Sequence, residues 1–432
     1  RWMNAAMKAG IERQGKPFKG WRLFQLGFIL TQIEAIYERY DGVQTETPSW
    51  DTADILWFST GGGKTEAYLG LICMGMLYGR LKGREYGTTA WLRFPLRMLS
   101  VQQFQRLSYV VAQANILRQE KALGGHPFTI GYFTGTGTPS HISSPYDDQA
   151  STFLPTISSD RLKSLRFIND CPYCDEKHSI EVIRDLTNVR VKHVCKNEQC
   201  WSNTHASEGV HGEGIRGEIG IYVSDEECYR YLPTIMVGTV DRLAVIAHNI
   251  RFSKFFGSAK HYCPTHGFIT GTKCDYFRFG TDNAGQPTSV RCGNNTRTSV
   301  VKTVILNPML DPGFQFTIQD ELHLLRELLG NFNGHYETLL QTLQVLHGGH
   351  PPKILAATAT IKDYQHHIHH LYQKAARRYP APGINEGESF YSRRKDSVRR
   401  YFTSLLPITQ NRNPMRTVSD VSSRFLDLVD EL

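Results

Sequence analysis

Three groups of residues in this sequence have the types and spacing to do chemistry. The first lies in FSTGGGKTEAYLG, beginning at Phe58. Gly61, Gly62 and Gly63 let successive backbone N–H groups turn inward, because no Cβ blocks the approach or the positive φ angles. Lys64 would set its ammonium on the β and γ phosphates of a nucleotide. Thr65 would hold Mg²⁺ through its hydroxyl at the start of a helix. The apolar run AYLGLICMGML follows at once, so the positive end of its dipole would face the anion. There is one departure from the general phosphate-loop pattern: Phe58 stands six residues before the lysine, where that pattern has glycine. A bare turn, however, requires neither lysine nor threonine behind its glycines.

The second group is IQDELHLL, Ile318 to Leu325, at the end of an apolar run. Asp320 would take the metal, and Glu321 would orient and deprotonate an attacking water. Acidic residues also suit a helix amino terminus in general; the pairing with TGGGKT is what gives these two a nucleotide to act on. The third group is the cysteines. Cys171 and Cys174 in CPYC, and Cys195 and Cys200 in CKNEQC, leave two, twenty and four residues between successive thiols. Such paired spacing resembles a zinc ribbon or knuckle, with VIRDL and VRVKHV as a small hairpin between the pairs and the zinc structural rather than catalytic. The alternative is four unrelated buried thiols. Cys263, His266, Cys274 and Cys292 either form a second site, since CPTH has ligand spacing, or are ordinary core residues. The run HHIHH at His366 to His370 reads as an exposed helical face.

Elements that could position these groups are visible as short apolar runs, each followed by a helix-like segment: ADILWF, TTAWLRF, FTIGYF, TIMVGT, FQFTIQDE and PKILAATAT. Their alternation marks an α/β chain with a parallel sheet covered on both faces, in which binding residues gather at the carboxyl ends of the strands. The rhythm breaks from about Ser140 to Tyr229 and again from about Asn249 to Pro312, and both breaks read as insertions. The expected organisation is residues 1–139 as the first part of one lobe and 140–229 as a zinc-binding insertion. Residues 230–380 would complete the lobe, with a second insertion near 249–312, and 381–432 would be a basic linker and the start of a second lobe.

Composition narrows the class. The chain has 432 residues, 40% of them apolar, and a net charge of +8. Between Lys374 and Arg400 there are eight Lys or Arg against three Asp or Glu, the footprint of a polyanion partner or of a solvated linker. Nine cysteines without a secretion signal point to metal sites and core thiols in a reducing cytoplasm. The longest apolar run, LGLICMGMLYG, falls short of the roughly 20 residues a membrane span needs. A first residue of Arg1 and a close on VSSRFLDLVDEL suggest a piece of a longer chain.

From Trp21 to Thr360 a family resemblance covers most of the chain. GGGKT, FPLRMLSVQQF from Phe94, VGTVDRLA from Val237, QDELH and AATAT from Ala356 stand in the order of motifs I, Ia, Ic, II and III of superfamily 2 helicases. Within that superfamily the chain resembles DExH helicases of the MrfA-like subgroup. FPLRMLSVQQFQR, GTVDRLA and QDELHLLRELLGNF are similar to helicases of the DISARM phage-defence type.

The resemblance implies an amino-terminal RecA-like lobe, a doubly wound parallel sheet with a zinc-binding insertion, that binds ATP with Mg²⁺ and moves along DNA, single-stranded or partly duplex. Thr60 through Thr65 would line the nucleotide site, and Gln25 in WRLFQLGFI would read adenine. His323, with Thr358 and Thr360, would couple nucleotide state to DNA. Arg97 and Gln102, with Thr239 and Arg242, would touch the sugar-phosphate backbone, giving salt-sensitive and base-tolerant binding. A DrmB-like DISARM subunit is the implied protein partner. In such motors a second lobe supplies an arginine to the transition state. Arg393, Arg394, Arg399 and Arg400 lie too early to match it, so this chain alone is expected to bind nucleotide weakly and hydrolyse it poorly. The rivals are a nucleic-acid-binding scaffold with a vestigial nucleotide pocket and a different P-loop enzyme such as a nucleotide kinase. The helicase order of DELH and ATAT disfavours the kinase.

Overall fold

Strands buried on both faces need apolar residues at every position, and helices must cover both sides. A computed structural model of the chain, which describes residues 1–41, 47–59, 61–135, 138–144, 152–205, 216–294, 304–325, 327–359, 363–384, 388–393, 419 and 421–424, has this arrangement. Helices α1 (Trp2–Glu12), α2 (Leu23–Thr31) and α3 (Ile33–Asp41) precede β1 (Thr52–Trp57). Then come α4 (Lys64–Leu81), β2 (Ala90–Phe94), α5 (Arg97–Glu120) and β3 (Ile130–Phe133).

The first insertion carries α6 (Ser159–Ser164), the antiparallel pair β4 (Ile180–Asp185) and β5 (Arg190–Cys195), α7 (Trp201–Thr204) and β6 (Glu218–Ile219). The chain re-enters the main sheet with β7 (Ile221–Tyr222), inside the stretch expected to be inserted, and continues through α8 (Asp225–Tyr231) to β8 (Ile235–Thr239). The second insertion holds β9 (His261–Cys263), β10 (Gly267–Ile269), β11 (Phe277–Thr281), β12 (Pro287–Arg291) and β13 (Val304–Ile305). The lobe closes with β14 (Phe316–Gln319), α9 (Glu327–Leu346), β15 (Lys353–Thr358), α10 (Tyr364–Tyr372) and β16 (Ala375–Tyr379).

Eight strands form one sheet in the order β16-β1-β15-β14-β2-β8-β3-β7, every pair parallel. All six apolar runs became strands; β7 and β16 add the two edges. Because side chains alternate along a strand, the two faces are distinct. Phe316 and Tyr132 meet the α4 and α5 side, where Gly75 lies against the Phe316 ring and Phe104 against Tyr132. Trp91 faces the other side with Phe252, Phe314 and Leu340 of α9, and Ala53, Ile55, Ile354 and Ala356 pack there under Ile368, Leu371 and Tyr372 of α10. On that same side the buried guanidinium of Arg93 pairs with the buried Glu337 carboxylate of α9. The sheet is therefore doubly wound.

HHIHH lies on α10, with His366, His369 and His370 exposed and Ile368 buried. Among the described residues no helix is long and apolar enough to cross a membrane. Residues from Pro382 onward form a separate unit; the strand expected at YFTSLLPI, and Arg394, Arg399 and Arg400, lie outside the described residues.

Candidate nucleotide site and metal-ligand clusters

The glycine loop leaves the carboxyl end of β1 still tied to the sheet, Phe58 N donating to Thr358 O at 3.2 Å. Gly62 N then closes a turn on Ser59 O at 3.0 Å. Gly63 has φ +97° and caps the start of α4, so the backbone demands glycine, and a Cβ there would also stand 2.7 Å from Gln25 Nε2 and push that side chain aside. Gln25 braces the loop from α2: Nε2 donates to Gly63 O at 2.8 Å and Oε1 accepts from Arg22 N at 2.9 Å. Arg22 also donates to Gly62 O. Both ends of the amide expected to read adenine are thus engaged, one by the loop and the other by the start of α2. Phe58, the departure from the glycine pattern, stacks on Phe24 of α2 with centroids 3.9 Å apart. Lys64 Nζ donates to Phe58 O at 2.8 Å, folding the ammonium back over the loop. Thr60 lies outside the described residues.

Asp320 follows β14, its N–H donating to Arg93 O at 3.1 Å. The Tyr68 hydroxyl on α4 stands 3.3 Å from Thr65 Oγ1 and 3.2 Å from Asp320 Oδ2. One side chain therefore spans the two groups proposed to share a divalent ion. Burial raises the Asp320 carboxyl above its ordinary range, the Glu321 charge adds to this, and Lys64 opposes it. Burial lowers the Lys64 ammonium, while Glu321 and Asp320 pull it back up. A bound divalent cation would hold Asp320 ionised and reverse the burial effect.

Glu321 has φ +50°, an uncommon backbone for a residue with a side chain, and its N–H donates to Asp320 Oδ1 at 3.0 Å. Its Oε2 stands 3.5 Å from His323 Nδ1, which in turn is 3.0 Å from Thr358 Oγ1. Gln25, Gly61 to Thr65, Asp320, Glu321, His323 and Thr358 thus meet at the carboxyl ends of β1, β15 and β14, three adjacent strands. Thr360 lies outside the described residues.

The four residues expected on DNA do not present alike. Arg97 opens α5 and is exposed, as is Gln102. Thr239 ends β8, in register with Phe94 of β2, and is mostly buried. Arg242 is paired with Asp225 of α8, its guanidinium lying 4.2 Å over the Phe133 ring. The structure commits that arginine to packing inside the lobe rather than to a free surface.

Cys171, Cys174, Cys195 and Cys200 converge, with Cys171 and Cys200 sulfurs 3.6 Å apart and those of Cys174 and Cys195 3.8 Å apart. The expected hairpin stands between the pairs, Ile180 opposite Cys195. Cys263, His266, Cys274 and Cys292 converge as well, and within each group the ligand atoms all lie within 4.8 Å of one another. Both groups could hold a metal ion, and thiolate and imidazole donors suit zinc. Two further residues carry the geometry without having stood out in the sequence. Tyr68 reads there as one more member of an apolar helix, though its place three residues after Thr65 sets it on the same helical face. Arg230, fully buried, resembles an ordinary charged residue of a short helix.

No protein-family model matches the chain. Two crystal structures of the DUF1998 helicase MrfA are similar at 11% identity: one with a TM-score of 0.41, covering 86% of this chain and 32% of that one, and a DNA-bound form with a TM-score of 0.40, covering 88% and 28%. The DISARM protein DrmA of Bacillus paralicheniformis is 30% identical over 417 residues, a match covering 92% of this chain and 34% of DrmA. By sequence, then, the chain is similar over nearly all of its own length to the DISARM protein DrmA, of which it spans about one third.

Proposed function

We propose that this chain is the ATP-binding motor lobe of a superfamily 2 DNA helicase or translocase serving phage defence, the reading its similarity to DrmA supports. The observation that carries it is the Tyr68 hydroxyl, in reach of both Thr65 and Asp320. It links the start of α4 to the carboxylate that follows β14, although Thr65 and Asp320 are more than 250 residues apart. Gly61 to Thr65 and Asp320 would hold ATP and Mg²⁺, the ion supplying charge neutralisation at the phosphates. Lys64 moves from Phe58 O onto the β and γ phosphates, and Glu321 accepts the proton of the attacking water, oriented by His323. His323 and Thr358 form the link by which that state reaches the DNA side of the lobe.

In this reading DNA crosses the ends of β2 and β8, met by Arg97, Gln102 and Thr239, and a DrmB-like subunit is the protein partner. Cys171, Cys174, Cys195 and Cys200 hold a structural zinc in the first insertion. The test is DNA-stimulated ATP hydrolysis by the full-length protein. Stimulated turnover that Glu321→Gln abolishes is the expected result. Turnover unchanged by that substitution removes the assigned base, and no turnover in DNA-binding material favours the scaffold.

A further inference from the structure

The second insertion gathers four donors that nucleotide chemistry makes no use of. We propose that Cys263, His266, Cys274 and Cys292 are a second, Cys₃His zinc site, whose knuckle is tied to the first insertion through Arg230.

The ligands come from two structures with the form of a metal clamp. Cys263 ends β9, and His266 stands in the tight turn before β10, its N–H donating to Cys263 O at 3.2 Å. Gly267 follows with φ +81°, and a Cβ there would fall 2.2 Å from Arg230 O, so the knuckle is pressed backbone to backbone on α8. Cys274 and Cys292 flank the β11–β12 hairpin and are stitched across its base, Cys292 N to Tyr276 O at 2.9 Å and Cys274 N to Asn294 O at 2.8 Å.

The donor atoms lie near the spacing of a tetrahedral site, all within 4.8 Å of one another. His266 Nδ1 is 3.5 Å from Cys274 Sγ and 3.9 Å from Cys263 Sγ; the usual zinc bond lengths put neighbouring ligand atoms about 3.3–3.8 Å apart. Asn294 Nδ2 points a donor at Cys263 Sγ from 3.4 Å, as outer partners do for a ligating thiolate. The β9–β10 hairpin packs on the main core through Tyr262 and Phe268, but around the donors themselves the core is, apart from the three cysteines, only Ile269 and Tyr276, little apolar cover to fasten the β11–β12 hairpin without a staple. On binding Zn²⁺ the three thiols release three protons while the imidazole gives a neutral lone pair, so the filled site carries a net charge of −1.

Arg230 supplies the joint. Its guanidinium donates to Val189 O at 2.6 Å, and to Asn188 O, in the β4–β5 turn of the first insertion. It also donates to His266 O at 3.0 Å and Thr265 O at 3.3 Å in the knuckle of the second. Two modules distant in sequence thus share one buried cation, which grips the second at the knuckle that carries His266 and the first at a turn shaped by the Asn188 bonds to Asp185.

The experiment is elemental analysis of the purified 432-residue chain together with zinc-edge X-ray absorption. Two zinc ions per chain are expected, falling to one in Cys263→Ser/Cys274→Ser and to one in Cys171→Ser/Cys174→Ser. The unaltered protein should show seven sulfurs and one nitrogen shared over two ions. One zinc per chain, insensitive to Cys263→Ser/Cys274→Ser, would overturn the site. So would an all-sulfur first shell, which reads the unaltered protein and so decides even where a double variant fails to fold.

Discussion

Around Lys64 the reactive side chains are held by a large parallel sheet; around Cys171 and Cys263 there is no such sheet to hold them. The phosphate loop, Asp320 and Thr358 end three adjacent strands whose buried residues form the main core. Their positions follow from strand register, and Gln25, Arg22 and Phe24 of α2 only trim them. The insertions bury apolar residues too, Leu154 and Phe167 in the first and Tyr262 and Phe268 in the second, but their cysteine ends are hairpins and turns in which the donors take the inner positions. The difference teaches where local order resides: apolar burial positions the candidate nucleotide site, whereas the donor clusters would need a bound metal to fix the cysteine ends of the insertions.

Removing metal should separate the two most sharply. Structural zinc contributes about 10–16 kcal/mol to the folding of small zinc modules, so a strong chelator should bring residues 171–200 and 261–292 to full hydrogen exchange while β1, β2 and β14 keep their protection. Protection that persists in both hairpins after the metal is gone would break the contrast.

Next in size is Glu321→Gln, expected to lower ATP turnover of the full-length protein by about 10²–10⁴-fold. Nucleotide affinity should hold, because the loop and Asp320 are untouched. An equal loss of affinity would place Glu321 in binding instead.

Within the sheet region, Glu337→Ala would strand the fully buried Arg93 guanidinium and should cost about 3–5 kcal/mol in a denaturant titration. Adding Arg93→Met should recover much of that, since the penalty belongs to the unpaired charge. The smallest effect sharpens the DNA face. Arg97→Ala should reduce the slope of log affinity against log salt by about 1. Arg242→Ala should leave the slope alone and lower stability, because its charge is already paired with Asp225.

The candidate nucleotide site was legible because each half is a short contiguous string. TGGGKT and QDELH state their chemistry locally, and strand-end placement in a parallel sheet brings them together. The first cysteine cluster was legible for the same reason, as two close pairs. The second could be read only as one of two alternatives, because two, seven and seventeen residues separate its ligands, and only the folded β11–β12 hairpin brings Cys292 back to Cys274. Strand β7 has two residues, too few for any periodicity. Tyr68, Arg230 and the engagement of Arg242 depend on partners far along the chain, Asp320, Val189 and Asp225 among them, which no local pattern can announce.

The convergence of the glycine loop and Asp320 on one magnesium nucleotide is tested most directly by titrating this chain with a fluorescent ATP analogue, with and without Mg²⁺. Saturable binding that Mg²⁺ strengthens is predicted, lost in Lys64→Ala and stripped of its Mg²⁺ dependence in Asp320→Asn. Binding indifferent to Mg²⁺, or a Mg²⁺ effect that survives Asp320→Asn, would contradict it.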